Sequence, residues 1–127
     1  MKLDARVINK GRVVGEALVS HEPISFFGGV DPETGIITER GHELQGKSIG
    51  DKILVFPQGK GSTVGSYSLY RLMKNGVAPR AIINESCEPI VAVGAIISDI
   101  PCVDSLKIDS IKTGDRVKID GSKVEIE

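Results

Sequence analysis

A chain of 127 residues, 40% hydrophobic and 26% charged, has the make-up of one soluble globular domain, large enough to bury a core but short for an enzyme with two closing lobes. A net charge of −1 with scattered basic residues argues against nucleic acid, and an aromatic content of 4% without Trp offers no stacking platform for single strands. The opening Met1-Lys2-Leu3-Asp4-Ala5-Arg6 lacks a basic segment followed by an apolar one, and no window has the length of a bilayer span, so a cytoplasmic protein without membrane contact is expected.

Residues 3–8 and 12–19 alternate and are rich in β-branched side chains, with turn chemistry at Asn9-Lys10-Gly11-Arg12 between them, and they read as a hairpin. From His21 to Gly50 the chain is a long loop dense in Gly, Pro, Asp and Glu, in which only Ile36-Ile37-Thr38 has strand character. A loop of that length in a small domain points to binding or assembly. Within it Phe26 and Phe27 adjoin Gly28-Gly29, so one ring is expected to anchor the loop in the core and the segment to dock on a partner. Asp31-Pro32-Glu33-Thr34-Gly35 is turn chemistry, and Asp31 and Glu33 receive no acid or base role. His42, in a glycine-bounded turn, either orients substrate or accepts a proton, or makes a structural hydrogen bond, the reading favoured; His21 is a weaker candidate.

Ile53-Leu54-Val55-Phe56 reads as a buried strand. It leads into Gly59-Lys60-Gly61-Ser62-Thr63-Val64-Gly65-Ser66 and then into Tyr67-Ser68-Leu69-Tyr70-Arg71-Leu72-Met73, whose apolar spacing predicts a helix stopping near Asn75-Gly76. Ala81-Ile82-Ile83-Asn84 follows as a short strand, giving a strand, helix, strand unit of the kind that pairs in parallel. Ser62 then lies at the carboxyl end of its strand, the edge where open α/β sheets bind ligands. Glycines allow tight turning and close approach, and uncapped amides at a helix start favour an anion or a hydroxyl losing its proton. Ser62 has two readings, a helix N-cap worth about 1 kcal/mol or a reactive group, with Thr63 or Ser66 free to cap if Ser62 faces substrate. Lys60 is either a phosphate or carboxylate ligand or a solvated surface charge, and the spacing is not that of a nucleotide-binding loop.

Pro89 to Ile97 is an almost unbroken apolar run in which a short buried helix competes with a buried strand, the helix favoured by Pro at its start. Arg116-Val117-Lys118-Ile119 and Lys123-Val124-Glu125-Ile126, with Asp120-Gly121 between them, read as a closing hairpin. The two cysteines, Cys87 and Cys102, are fifteen positions apart, lack the spacing of a zinc site and read as reduced, small, buried side chains.

GGVDPETG at Gly28 to Gly35, GHELQG at Gly41 to Gly46 and GKGSTVGSY at Gly59 to Tyr67, with the Thr113-Gly114-Asp115 turn, together resemble the small subunit, or swivel domain, of the aconitase X family over most of the chain. Where other members have Gly-Ser-Cys-Ser-Gly-Ser, this chain has Gly61-Ser62-Thr63-Val64-Gly65-Ser66, which keeps the serine. The resemblance implies a β-rich α/β fold, a single swivelling β/β/α domain over 1–127, with the unit carrying Ser62 inside it. It implies a hydro-lyase active only with a large subunit. For the archaeal branch, whose GSTVGSY wording the chain shares, the substrate implied is (R)-5-phosphomevalonate and the product trans-anhydromevalonate 5-phosphate, in a mevalonate route to isoprenoids. Ser62 matches the family's base, and Gly28, Gly29, Lys60, Gly61, Thr63, Ser66 and His42 are the substrate-binding candidates. The family's cofactor is a [4Fe-4S] cluster; two distant cysteines cannot supply its thiolates, so it is expected on the large subunit. Two other readings stand beside this one: a related dehydratase of cis-3-hydroxyproline or another hydroxy acid, and a noncatalytic anion-binding module.

Overall fold

The computed structural model describes all residues, 1–127. Two short strands decide the architecture. In β4 (Ile53–Phe56 in chain order, after the three strands given below) and β5 (Ala81–Asn84) every residue is buried, the pattern of parallel strands covered on both faces. They pair in parallel, Ile53 opposite Ala81 and Phe56 opposite Asn84. Because side chains alternate, Leu54, Phe56 and Ile82 face one core, while Ile53, Val55, Ala81 and Ile83 face another.

The first core lies beneath two helices, α2 (Gly65–Lys74) and α3 (Pro89–Ile97), and the long loop, which contributes Ile24, Phe26, Val30, Ile37, Leu44 and Ile49. A single turn, α1 (Phe26–Gly29), sits in that loop. The second core is closed by β7 (Arg116–Asp120) and β8 (Lys123–Ile126), whose Val117, Ile119, Val124 and Ile126 point inward, as their alternation predicts. The remaining strands are β1 (Lys2–Asp4), β2 (Arg6–Asn9), β3 (Arg12–Val19) and β6 (Cys102–Asp104).

The eight strands follow the order β1-β8-β7-β3-β4-β5-β6-β2, parallel from β3 to β6 and antiparallel elsewhere. Its two ends, β1 and β2, are separated in sequence by Ala5 alone, so they meet at one corner and the sheet curls almost to closure. This is the β-rich α/β fold expected, with the strand-loop-helix-strand unit at its centre.

Two local expectations change, and one left between two readings is resolved as favoured. The N-terminal hairpin does not form: β2 pairs with β6 and β3 with β7 and β4. The turn-like residues between them serve a crossing instead. Asn9 donates through Nδ2 to the carbonyls of Ile100 (2.9 Å) and Ala95 (3.3 Å), and Gly11 passes so close to Pro101 that a Cβ would lie 2.5 Å from its ring. Ile36-Ile37-Thr38 forms no strand, only isolated bridges from Ile36 to Ser48 and from Ile37 to Val30. Pro89–Ile97 is a helix, started by Glu88, whose carboxylate accepts the amides of Ile90 (2.8 Å) and Val91 (2.9 Å).

The stop of α2 is as read. Gly76 takes φ 75°, its amide bonds to the Met73 carbonyl and that of Val77 to Leu72, satisfying the last carbonyls of the helix. No helix is long and apolar enough to cross a membrane.

Candidate functional site

After Phe56 the chain leaves the carboxyl edge of the sheet beside the start of the long loop. Ile24 and Gly59 form a parallel bridge, the Ile24 amide donating to Gln58 and the Lys60 amide to Ile24. Gly59 is wedged there: a Cβ would stand 2.5 Å from Glu88 Oε1 and 2.6 Å from Val91 Cγ2, so only glycine lets the loop pass against the start of α3. Gly61 turns the chain at φ 89°, with a Cβ position 2.7 Å from Ser25 Oγ. Fixed on both sides, the loop then presents Ser62 and Thr63 to the outside.

Ser62 does not cap α2 in the ordinary way. The N-cap residue is Val64, with no side-chain cap; the Ser62 carbonyl accepts the Gly65 amide (2.9 Å) and Ser62 Oγ accepts the Val64 amide (3.2 Å). The hydroxyl hydrogen is uncommitted within the chain. The amide that makes this a local turn also stabilises the oxygen if its proton leaves. The first turn of α2 holds no acidic residue, and Arg71 and Lys74 lie in its last turn, so the positive end of the helix dipole at Ser62 is not opposed from its own helix.

The expected neighbours divide. Gly28 is exposed at φ 85°. Gly29 is buried, its carbonyl accepting the amides of Thr38 (3.0 Å) and Glu39 (3.3 Å), which folds the GGVDPETG segment back beside the serine loop. Lys60 Nζ reaches Glu39 Oε2 at 2.8 Å, so its charge ties the two loops together in the free chain. Ser66 is not available at the loop surface: it is buried, and its hydroxyl donates to the Ile90 carbonyl at 2.7 Å, joining α2 to α3. His42 is also buried. Nε2 lies 2.9 Å from the Pro23 carbonyl and so carries the hydrogen, while Nδ1 accepts the Leu44 amide at 3.0 Å; both nitrogens are used in the fold, the structural role weighed for it. Phe26 packs edge-on against Phe56, ring centres 5.9 Å apart, and Phe27 remains exposed.

Sequence reasoning passed over three arrangements. His21 stands at the end of β3 between two carboxylates, Nδ1 3.1 Å from Glu43 and Nε2 3.3 Å from Asp109, and the Glu43 hydrogen bond and charge raise its pKa above the ordinary histidine value. Asp104, almost wholly buried, takes both arms of Arg6 (2.9 and 2.7 Å) as well as the Cys87 amide (2.8 Å); the Arg6 bond holds its carboxyl below the usual range. Asn84 closes β5, donating to the Phe56 carbonyl at 3.0 Å. None has a sequence signal, since each partner lies far along the chain.

Cys87 and Cys102 come together, sulfur to sulfur 3.9 Å, and the shared hydrogen bond lowers the Cys87 thiol and raises that of Cys102. No third His, Cys, Asp or Glu joins them in a ligating group, so the donors of this chain do not fit an iron–sulfur cluster.

The family described as aconitase X swivel domain matches residues 2–127. A curated relative from Methanosarcina acetivorans, named phosphomevalonate dehydratase small subunit, is 59% identical over 100% of this chain and 90% of its own length. Another of the same name from Thermococcus kodakarensis is 56% identical, covering 100% of this chain and 96% of its own. Among solved structures, that titled Thermococcus kodakaraensis aconitase X (holo-form) superposes with a TM-score of 0.98 at 55% identity, over 100% of this chain and 98% of that one.

Proposed function

We propose, since the chain belongs to the aconitase X swivel-domain family, that it is the small subunit of phosphomevalonate dehydratase, a hydro-lyase, and that Ser62 is the group that receives the substrate proton. The name carried by the relatives supports the first part. One observation carries the second: Ser62 is exposed on a loop that passes close against its neighbours at Gly59 and Gly61, with its hydroxyl hydrogen free and an amide on its oxygen.

The chemistry sets what that serine must do. Removing water from (R)-5-phosphomevalonate takes a proton from the carbon next to the carboxylate; the C–H pair becomes the double bond, and the hydroxyl on the neighbouring carbon departs. A serine hydroxyl is a weak acid, so Ser62 serves only as the alkoxide. The Val64 amide and the dipole of α2 favour that anion, and the partner must add positive charge. The departing hydroxyl calls for a Lewis acid, and this reading places it, as an iron–sulfur cluster, on the large subunit. Gly28 and Thr63, exposed near the serine, and the Gly61 backbone are the groups left to meet substrate; Lys60 does so by exchanging Glu39 for the phosphate. Gly29, Ser66 and His42 act by holding the loops in place.

The test is anaerobic co-expression with the large subunit, followed by assay of water elimination. The complex should dehydrate (R)-5-phosphomevalonate and neither chain should do so alone. Dehydration of cis-3-hydroxyproline in its place would assign the protein to the other dehydratase, and tight anion binding by the isolated chain with no elimination by any complex would favour the binding module.

A further inference from the structure

A nine-residue helix on the surface of a small domain ordinarily carries polar residues on its outer side. α3 does not. From Pro89 to Ile97 it has no charged or hydrogen-bonding side chain. Val91, Gly94 and Ala95 face inward, Gly94 so tightly that a Cβ would lie 2.9 Å from Leu69. The outer stripe, Val93, Ile96 and Ile97 at the spacing of one helix face, is 49%, 55% and 41% exposed. By contrast the later part of α2 obeys the rule, exposing Arg71 and Lys74.

The apolar surface is continuous with the serine loop. Thr63, Val64, Tyr67, Ile90 and Val93 line one concavity, and Val64 and Tyr67 line a second together with Phe27. Tyr67 is 70% exposed and Phe27 54%. The surface therefore begins at the residue after Ser62 and runs from there onto the outer side of α3. Resting on the functional reading above, we infer that the large subunit of the enzyme covers this surface, seating apolar side chains against Phe27, Val64, Tyr67, Val93, Ile96 and Ile97. A partner that brings reacting groups to Ser62 must lie against Val64 and Tyr67, and the unbroken apolar continuation extends the same contact along α3. A second copy of this chain is the poorer occupant, because two copies joined through this face would shield each other's Ser62.

The experiment is anaerobic purification of the complex made with V93D/I96D, with the wild type and with K118E, a charge reversal at exposed Lys118 in β7, followed by a dilution series on a sizing column. V93D/I96D should raise the apparent Kd at least about tenfold while its isolated chain unfolds at the wild-type temperature, and K118E should leave Kd unchanged. If V93D/I96D unfolds, V93S/I96S is read in the same way. A wild-type Kd for the folded variant overturns the assignment. So does an isolated wild-type dimer that the variant makes monomeric while the complex forms unimpaired, which gives the face to a second copy. Turnover is scored separately: weakened assembly with no dehydration by the wild-type complex sinks the functional reading and supports the surface, whereas full turnover with unimpaired assembly of the variant does the reverse.

Discussion

At the scale of single residues, the candidate site separates side chains that face outward from those that hold the loops. Ser62 was legible as a reactive candidate because its setting, a glycine-rich turn between an apolar strand and a helix, is local in sequence. Ser66 and His42 were not separable from it on the same grounds, because the partners that commit them, the Ile90 and Pro23 carbonyls, are brought in by folding. His21 shows the same limit more sharply. Glu43 and Asp109 lie 22 and 88 positions away along the chain and reach both ring nitrogens. Glu43 in turn, although desolvation pushes its carboxyl up, is held below the usual range by the His21 amide and ring. A raised histidine pKa means that the contribution of the pair is fully present below about pH 6.5 and is lost as pH rises through the folded value; at the acid end it is lost as Glu43 takes up its proton. NMR titration should place the His21 ring above the ordinary value, and Glu43→Gln should bring it down. An unchanged His21 titration in that variant would show that Asp109 or another group sets it.

Among elements, what repeats within a few residues was readable. The period of α2, its stop at Gly76, the closing hairpin and the parallel strand pair all follow from local pattern, and α3 was settled once Glu88 proved to be its cap. Pairings between strands distant in sequence were not readable, because alternation says that a segment is a strand but not which strand it joins. Residues 3–8 therefore looked like half of a hairpin, whereas the register of β2 places Arg6 opposite Asp104. The proposed function turns on the glycine loop, and the part Gly61 plays there separates in a test from that of a glycine needed for its φ alone. Gly61 is needed for its φ and also for its approach to Ser25, whereas Gly121, in the turn between β7 and β8, has φ 60° and nothing within 4 Å of its Cβ position. Gly61→Ala should cost about 2 kcal/mol in thermal unfolding and lower turnover at least about tenfold by displacing Ser62, whereas Gly121→Ala should cost about 1 kcal/mol and change turnover little. Equal losses of turnover would mean that the serine loop is not positioned by its contact with Ser25.

For the whole molecule, the β-rich fold was expected and the sheet order was not, because the order depends on pairings such as Lys2 with Glu125 and Arg6 with Asp104 that join opposite ends of the chain. That near-closed sheet gives the chain a firm frame, and at its carboxyl edge it fixes one loop whose hydroxyl is free. The same frame leaves the apolar face of α3 open, which on the proposed reading is where the large subunit completes the active site. Whether Ser62 removes the proton is read from kcat for dehydration of (R)-5-phosphomevalonate by the assembled complex carrying Ser62→Ala, with assembly and KM determined alongside. The expected result is a fall in kcat of about a thousandfold with assembly and KM near wild type; a kcat within about tenfold of wild type in an intact complex would remove Ser62 from the role of base.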